Sequence, residues 1–148
     1  MLDQFVLKSP QTENEWREYY RLRWEVLRKP WSQPIGSEKD EHEVQSYHLM
    51  VTFHGEVIGV GRIHQSDQST AQIRYMAVLN AYQRTGIGSL ILETLENQAR
   101  SWGVSKIILN ARDSCLNFYK KHNYQPTKTG PVLFELIPHT VMIKTMNC

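Results

Sequence analysis

One junction constrains this chain more than any other feature. The extended pattern Ala71–Leu79 runs through Gln83-Arg84-Thr85-Gly86-Ile87-Gly88-Ser89 into the clearest helical stretch of the sequence. From Ser89 to Trp102 the apolar residues Leu90, Ile91, Leu95, Ala99 and Trp102 keep to one face, and Gly103 stands where a left-handed C-terminal cap belongs. A strand, a glycine turn and a helix in this order leave free backbone N–H groups at a positive helix terminus, which is a phosphate-binding arrangement. Glycine at 86 and 88 lets a pyrophosphate approach the main chain, and Arg84 can add a charge-assisted contact. Other phosphate loops fit worse. There is no Gly-Lys-Ser/Thr, the third glycine of a dinucleotide fingerprint would fall at Ile91, and Gly59-x-Gly61 lies inside a strand pattern. The bland alternative is a glycine-rich turn into a helix.

The remaining pattern is mixed α/β. Phe5 and Leu7 alternate as a first strand, and Thr12-x-x-Glu15 has the form of a capping box opening a helix that carries Trp16, Tyr20, Trp24 and Leu27 and stops near Lys29, before Pro30. Residues 31–37 read as a loop, and Ser37-x-x-Asp40 as the cap of a short acidic helical turn. Tyr47–Phe53 and Val57–His64 read as a hairpin, Lys106–Asn110 as a strand, Ser114–His122 as a helix, and Val132–Ile137 with Val141–Met146 as a last hairpin. No repeat or linker divides residues 1–148, so one domain is expected.

Composition narrows the partners. A net charge of +2, with cations spread along the chain, argues against nucleic acid. Cys115 and Cys148 form no C-x-x-C pair and no metal-ligand spacing, which fits a reducing compartment. No apolar run is long enough to span a bilayer, and Met1-Leu2-Asp3-Gln4 lacks the start of a signal peptide, so a cytoplasmic protein without a membrane partner is expected.

Asn110-Ala111-Arg112, then Asn117-Phe118-Tyr119-Lys120-Lys121 and Asn123-Tyr124, follow the glycine loop in an order that resembles the GNAT N-acetyltransferase superfamily over roughly residues 47 to 125. Gln83, Gly86 and Gly88 match the family's Gln/Arg-x-x-Gly-x-Gly/Ala motif, and Ile73–Val78 its preceding strand. The resemblance implies an α+β fold with a splayed, mixed but mostly antiparallel sheet flanked by helices, and acetyl-CoA wedged between the strands ending near Val78 and Asn110. It implies that main-chain groups of Met76, Ala77 and Val78 pair with the pantetheine arm. The amides of Arg84, Thr85, Gly86, Ile87, Gly88 and Ser89 would hold the pyrophosphate, and Asn110 and Asn117 would lie along the cofactor. Tyr119 matches the family's tyrosine that protonates the leaving thiolate. A structural role for Phe118 and Tyr119, packing their helix on the sheet, is the competing reading.

The resemblance does not name a base. A glutamate that serves some relatives is matched here by Gln72, which leaves Glu41, Glu43, His42, His64 or a water relay. Asp40-Glu41-His42-Glu43 with His48 suggests a metal, but residues six apart on a helix point about 240° apart, so a solvated helix start and no metal are expected. Arg23, Trp24, Arg28, Trp31 and Tyr47 either border the acceptor pocket or divide into core tryptophans and surface arginines. The expected reaction is acetyl transfer to a small-molecule or peptide amine in a ternary complex. A non-catalytic acyl-CoA-binding module and a transferase of longer acyl groups are the alternatives. Family members are often dimers, which leaves a homodimer open.

Overall fold

The computed structural model describes residues 4–146. Its elements are β1 (Phe5–Lys8), α1 (Glu13–Leu27), β2 (Tyr47–Phe53), β3 (Glu56–Gln65), β4 (Thr70–Val78), α2 (Ile87–Trp102), β5 (Lys106–Arg112), α3 (Leu116–Lys121), β6 (Gln125–Leu133) and β7 (Ile137–Thr145). They form one seven-stranded sheet in the order β1-β2-β3-β4-β5-β7-β6. Each neighbouring pair is antiparallel except β4 and β5, which run parallel because α2 carries the chain back across the sheet between them. The splayed, mostly antiparallel α+β architecture expected from the sequence is the one found.

Local chemistry accounts for the elements. The capping box at the start of α1 forms: Glu15 N–H donates to Thr12 Oγ1 at 3.1 Å and Thr12 N–H to Glu15 Oε1 at 3.2 Å. On one face of the sheet α1 seals a small core of Tyr19 and Leu22 against Met50, Val57, Val60 and Ala77. On the other face α2 sets Ile87, Ile91, Leu92, Leu95 and Ala99 into the main core, and α3 adds Leu116, Phe118 and Tyr119 at its margin. Glycine in β3 serves this second contact. A Cβ on Gly61 would stand 2.7 Å from Ile91 Cγ2, and one on Gly59 3.0 Å from Ile91 Cδ1, so the helix can lie this close only where the strand has no side chains.

Several expectations need correction. The α2 helix begins at Ile87, two residues before Ser89, and its apolar stripe includes the carboxylate of Glu96, which accepts from Tyr124 Oη at 2.9 Å and Lys144 Nζ at 3.1 Å. The last hairpin turns at residues 134–136, so β6 starts at Gln125 and β7 at Ile137, earlier than the apolar runs suggested. The segment expected to be helical from Ser114 is a 3₁₀ turn, Asp113–Cys115, followed by the short α3. No helix forms after Ser37: Asp40 Oδ1 accepts from the His42 amide at 2.9 Å and caps only a turn, and the same carboxylate is drawn inward by Arg62. Cys148 and the first three residues lie outside the described residues. Among the described residues no helix is long and apolar enough to cross a membrane.

Candidate active site

The site begins where β4 and β5 part. Their parallel pairing covers only Thr70–Ile73 against Lys106–Leu109; beyond it, Arg74–Val78 and Asn110–Arg112 diverge and leave two facing strand edges without ladder partners. Tyr75 helps to drive the divergence. Arg62 pairs with Arg74 and Val60 with Ala77, so Gly61 alone faces Tyr75 and Met76, a bulge in which Tyr75 takes φ of +58°. The bulge turns Tyr75 toward α1 and leaves Met76 against the main core.

At the end of β4 the chain closes into the glycine loop. Gln83 Nε2 donates to the Val78 carbonyl at 3.2 Å and to Asn80 Oδ1 at 3.1 Å, and Thr85 Oγ1 donates to the Tyr82 carbonyl. Arg84 at φ +62° and Gly86 at φ +91° make the left-handed turn that starts α2, and no side chain caps the helix. The amides of Ile87, Gly88 and Ser89 therefore point out of the first turn with no acceptor inside the helix. A Cβ on Gly88 would only touch the Phe118 ring, at 3.4 Å, where α3 crosses the start of α2. Ser89 Oγ lies 2.9 Å from His122 Nε2 at the same crossing.

Tyr119 comes to this gap from α3. Its hydroxyl points at Met76 Sδ, 3.9 Å away, and its ring packs on Phe118 and Tyr124 at centroid distances of 5.0 and 5.9 Å. Burial, and then the neighbouring Cys115, raise its pKa above the ordinary phenol range, so it stays protonated at neutral pH and able to donate. Asn110 and Asn117 are both exposed, on β5 and α3. The loop and the α2 amides thus stand at the end of β4, and the Tyr119 hydroxyl reaches Met76 on the same strand.

On the α1 side lies a buried polar network that the sequence did not disclose. Arg62 Nη1 donates to Asp40 Oδ1 at 2.6 Å and Glu43 Oε2 at 2.7 Å. Arg23 Nη1 reaches Glu43 Oε1 at 2.9 Å, and Arg74 Nη1 reaches Asp40 Oδ2 at 2.8 Å. Both Arg23 and Arg62 are fully buried, and the Nε of each has no partner. Although burial works against ionisation, the Arg62 hydrogen bonds and neighbouring charges hold Asp40 well below the usual carboxylate range; Glu43 is held down likewise by Arg23.

The acidic segment is therefore no solvated helix start, and the reading of these arginines as surface residues fails for both Arg23 and Arg28. Tyr47 also leaves the group expected at an acceptor pocket, since it packs on the main core on the opposite face. Arg28 is buried, while Trp24 and Trp31 are half-buried; Trp24 Nε1 donates to the Gln33 carbonyl at 3.0 Å.

The candidate bases fare unequally. Glu43 is held by two arginines, and His64, stacked on His42 at 4.2 Å, is pushed down to about 4 by burial and the Arg62 charge. Both are weak proton acceptors in this state. Glu41 is exposed beside His42, 3.3 Å away. Arg74, Tyr75, Arg112 and Phe134 had drawn no role from sequence; the bulge and the β6–β7 turn bring them together, and neither leaves a composition signal.

Comparison with known proteins agrees with this geometry. Residues 14–124 match the model of the acetyltransferase (GNAT) family. The chain is similar to YjcF of Bacillus subtilis (strain 168), described as an uncharacterized N-acetyltransferase, with 33% identity over 132 residues, 89% of this chain and 94% of that one. In fold it is similar to an aminoglycoside 6'-N-acetyltransferase complexed with coenzyme A, at a TM-score of 0.79 and 14% identity, covering 95% and 96% of the two chains. It is also similar to a GNAT family acetyltransferase from Elizabethkingia anophelis with acetyl-CoA bound, at a TM-score of 0.75 and 15% identity, covering 99% of each. A strand bulge, a glycine turn into an uncapped helix and a family match across most of the chain lead to one conclusion: the chain belongs to the acetyltransferase (GNAT) family and is an acyltransferase that uses acetyl-CoA.

Proposed function

We propose that the acceptor is a primary amine and that it attacks the thioester directly, in a ternary complex. The observation that carries this reading is the Tyr119 hydroxyl, 3.9 Å from Sδ of Met76 on the strand stretch that β5 leaves unpaired. The amides of Arg84 to Ser89 bind the pyrophosphate, and the free edge of Met76–Val78 pairs with the pantetheine amides as an added strand would. Asn110 and Asn117 flank the cofactor arm. As the amine nitrogen bonds to the carbonyl carbon and the C–S bond breaks, Tyr119 passes its proton to the departing sulfur. Glu43 and Asp40, committed to arginines, keep the α1 wall in place rather than accept the amine's proton. The amine enters as its free base, and the proton its nitrogen sheds on becoming an amide leaves through water, which returns one to the Tyr119 phenolate.

Two measurements test the reading. Acetyl-CoA at about a hundred times its dissociation constant should raise the unfolding temperature by roughly 5 to 10 °C. Tyr119→Phe should keep that shift and lose about 100-fold in thiol release with an amine acceptor. Wild-type turnover in Tyr119→Phe would reject the donor role, and absence of any shift would reject the binding site.

A further inference from the structure

Five arginines converge on the α1 side of the sheet, at the end where β4 and β5 part. Four surround Tyr75, with guanidinium carbons 4.3 Å (Arg23), 4.6 Å (Arg74), 5.0 Å (Arg62) and 5.6 Å (Arg28) from the ring centre. The fifth, Arg112, lies over Trp31 at 4.7 Å; Trp31 stacks on Phe134 at 6.4 Å, and Phe134 carries Arg28 at 5.3 Å. Aromatic plates thus hold Arg28, Arg74 and Arg112 at one mouth.

The carboxylates do not balance these charges. Asp40 and Glu43 answer Arg23, Arg62 and Arg74, whereas among the described residues neither Arg28 nor Arg112 is paired with a carboxylate. Other acids of the region are engaged elsewhere: Glu25 with Arg21, Glu38 with the Gly36 amide, and Asp113 with Thr140. Glu135 is exposed in the β6–β7 turn. Arg28 is 7% exposed, and burial first, then the charges of Arg74 and Arg112, lower its pKa. Arg112 and Trp31 also line a cavity of about 510 Å³, together with Lys29 and the Glu25 that pairs with Arg21, and it reaches Leu79 at the end of β4. Arg28 Nε and Nη1 donate to the Ser37 and Leu27 carbonyls, each at 2.9 Å, so its hydrogen bonds are partly met while its charge is not. Guanidinium charges without a carboxylate at a partly dry mouth destabilise the free protein and favour an incoming anion.

We propose that this mouth receives an amine whose own molecule carries a carboxylate, held by the planar fork of Arg112 and attracted by the charge of Arg28; the assignment rests on the acyl-transfer reading above. The same charges disfavour an ammonium and so select the free amine that attacks. Polyamines and neutral alkylamines are poor fits.

Matched acceptors test it: ω-aminocarboxylates against alkylamines of equal length, and α-amino acids against their amides, with thiol release followed at saturating acetyl-CoA. Carboxylate-bearing amines should have kcat/KM at least about tenfold higher. Arg112→Gln, at a half-buried position the fold can tolerate, should raise the acceptor KM about tenfold while leaving the KM for acetyl-CoA unchanged, and Arg112→Lys should recover part of the loss. Preference for neutral or polycationic amines overturns the proposal. So does an Arg112→Gln defect that falls on acetyl-CoA, which would assign the arginine to a phosphate of the cofactor. If acetyl-CoA raises the unfolding temperature yet no carboxylate-bearing amine releases thiol, the proposal is wrong and the cofactor reading stands. If acetyl-CoA raises nothing, the acyl-transfer reading falls and takes this one with it.

Discussion

The guanidinium of Arg23 rests 4.3 Å from the centre of the Tyr75 ring, and each residue holds the other in a state it would not keep alone. Tyr75 sits at φ +58°, which costs a side chain of this kind on the order of 1 to 2 kcal/mol, and the arginines around its ring offset that strain. Arg23 stays charged while fully buried because Glu43, the Glu38 carbonyl and the Tyr19 hydroxyl accept from it.

Replacing Arg23 with Met should therefore cost about 3 to 5 kcal/mol, since it strands part of the Glu43 charge and unsupports the bulge. Urea unfolding would measure the loss. A change under about 1 kcal/mol would mean that Arg62 alone satisfies Glu43.

Acid should weaken the fold in two stages. His64 has its pKa lowered from 6.5 to about 4, so between those values the unfolded chain takes up a proton that the folded one refuses, and stability falls as pH drops. From pH 7.5 to 5 the loss from His64 is about 2 kcal/mol. The groups facing it, Arg62, Arg74 and His42, keep the imidazole neutral, while Asp40 opposes them. Asp40 and Glu43, whose folded pKa values are depressed, contribute stability that is present above their unfolded values and disappears at lower pH still. His64→Gln should shrink the first stage, leaving the part that buried His48, whose pKa burial also lowers, contributes, and should leave the second stage. Unfolding midpoints across pH that are identical in the two proteins would exclude His64 as the source.

Gly61→Ala places a methyl 2.7 Å from Ile91 Cγ2 and 3.0 Å from Leu95 Cδ1, on the face of a helix that has no slack. A destabilisation of roughly 1 to 3 kcal/mol is expected. An unchanged unfolding temperature would show that α2 can lift off β3 without penalty.

The two loop glycines should behave differently. Gly86 takes φ of +91°, so Gly86→Ala should lose about 1 kcal/mol of stability and weaken acetyl-CoA binding at once. Gly88 has no such φ, and its added methyl would meet only the edge of Phe118 at 3.4 Å, so Gly88→Ala should fold and bind normally. Calorimetric titration of both variants with acetyl-CoA checks this, and equal losses would contradict it. Bulkier changes at Gly86 confound ligand repulsion with backbone strain.

Much of the fold around the candidate site is legible in the sequence, and the reason is locality. The Thr12–Glu15 box, the apolar stripe of α2 and the loop 83–88 are each written within a few consecutive residues, where spacing and backbone chemistry decide the outcome. Asp40 and Glu43 read as solvated because their partners Arg62, Arg74 and Arg23 stand 19 to 34 residues away. Glu96 broke the expected stripe for the same reason, since Tyr124 and Lys144 arrive from 28 and 48 residues on. The bulge at Tyr75 escaped notice because it needs no glycine and no proline, only a ring of cations to hold it.

The short seam between β4 and β5 has a consequence for handling the protein. A strand edge left open inside a sheet is as sticky as one at its border, and Arg74–Val78 faces Asn110–Arg112 across such an opening. In the binding mode proposed above, the cofactor would act as a plug as well as a reactant. Preparations stripped of CoA should scatter light at lower temperature than filled ones, by more than the difference in their unfolding midpoints, because the empty slot invites strands from neighbouring molecules. Parallel shifts in scattering and unfolding would show instead that the open edges are harmless.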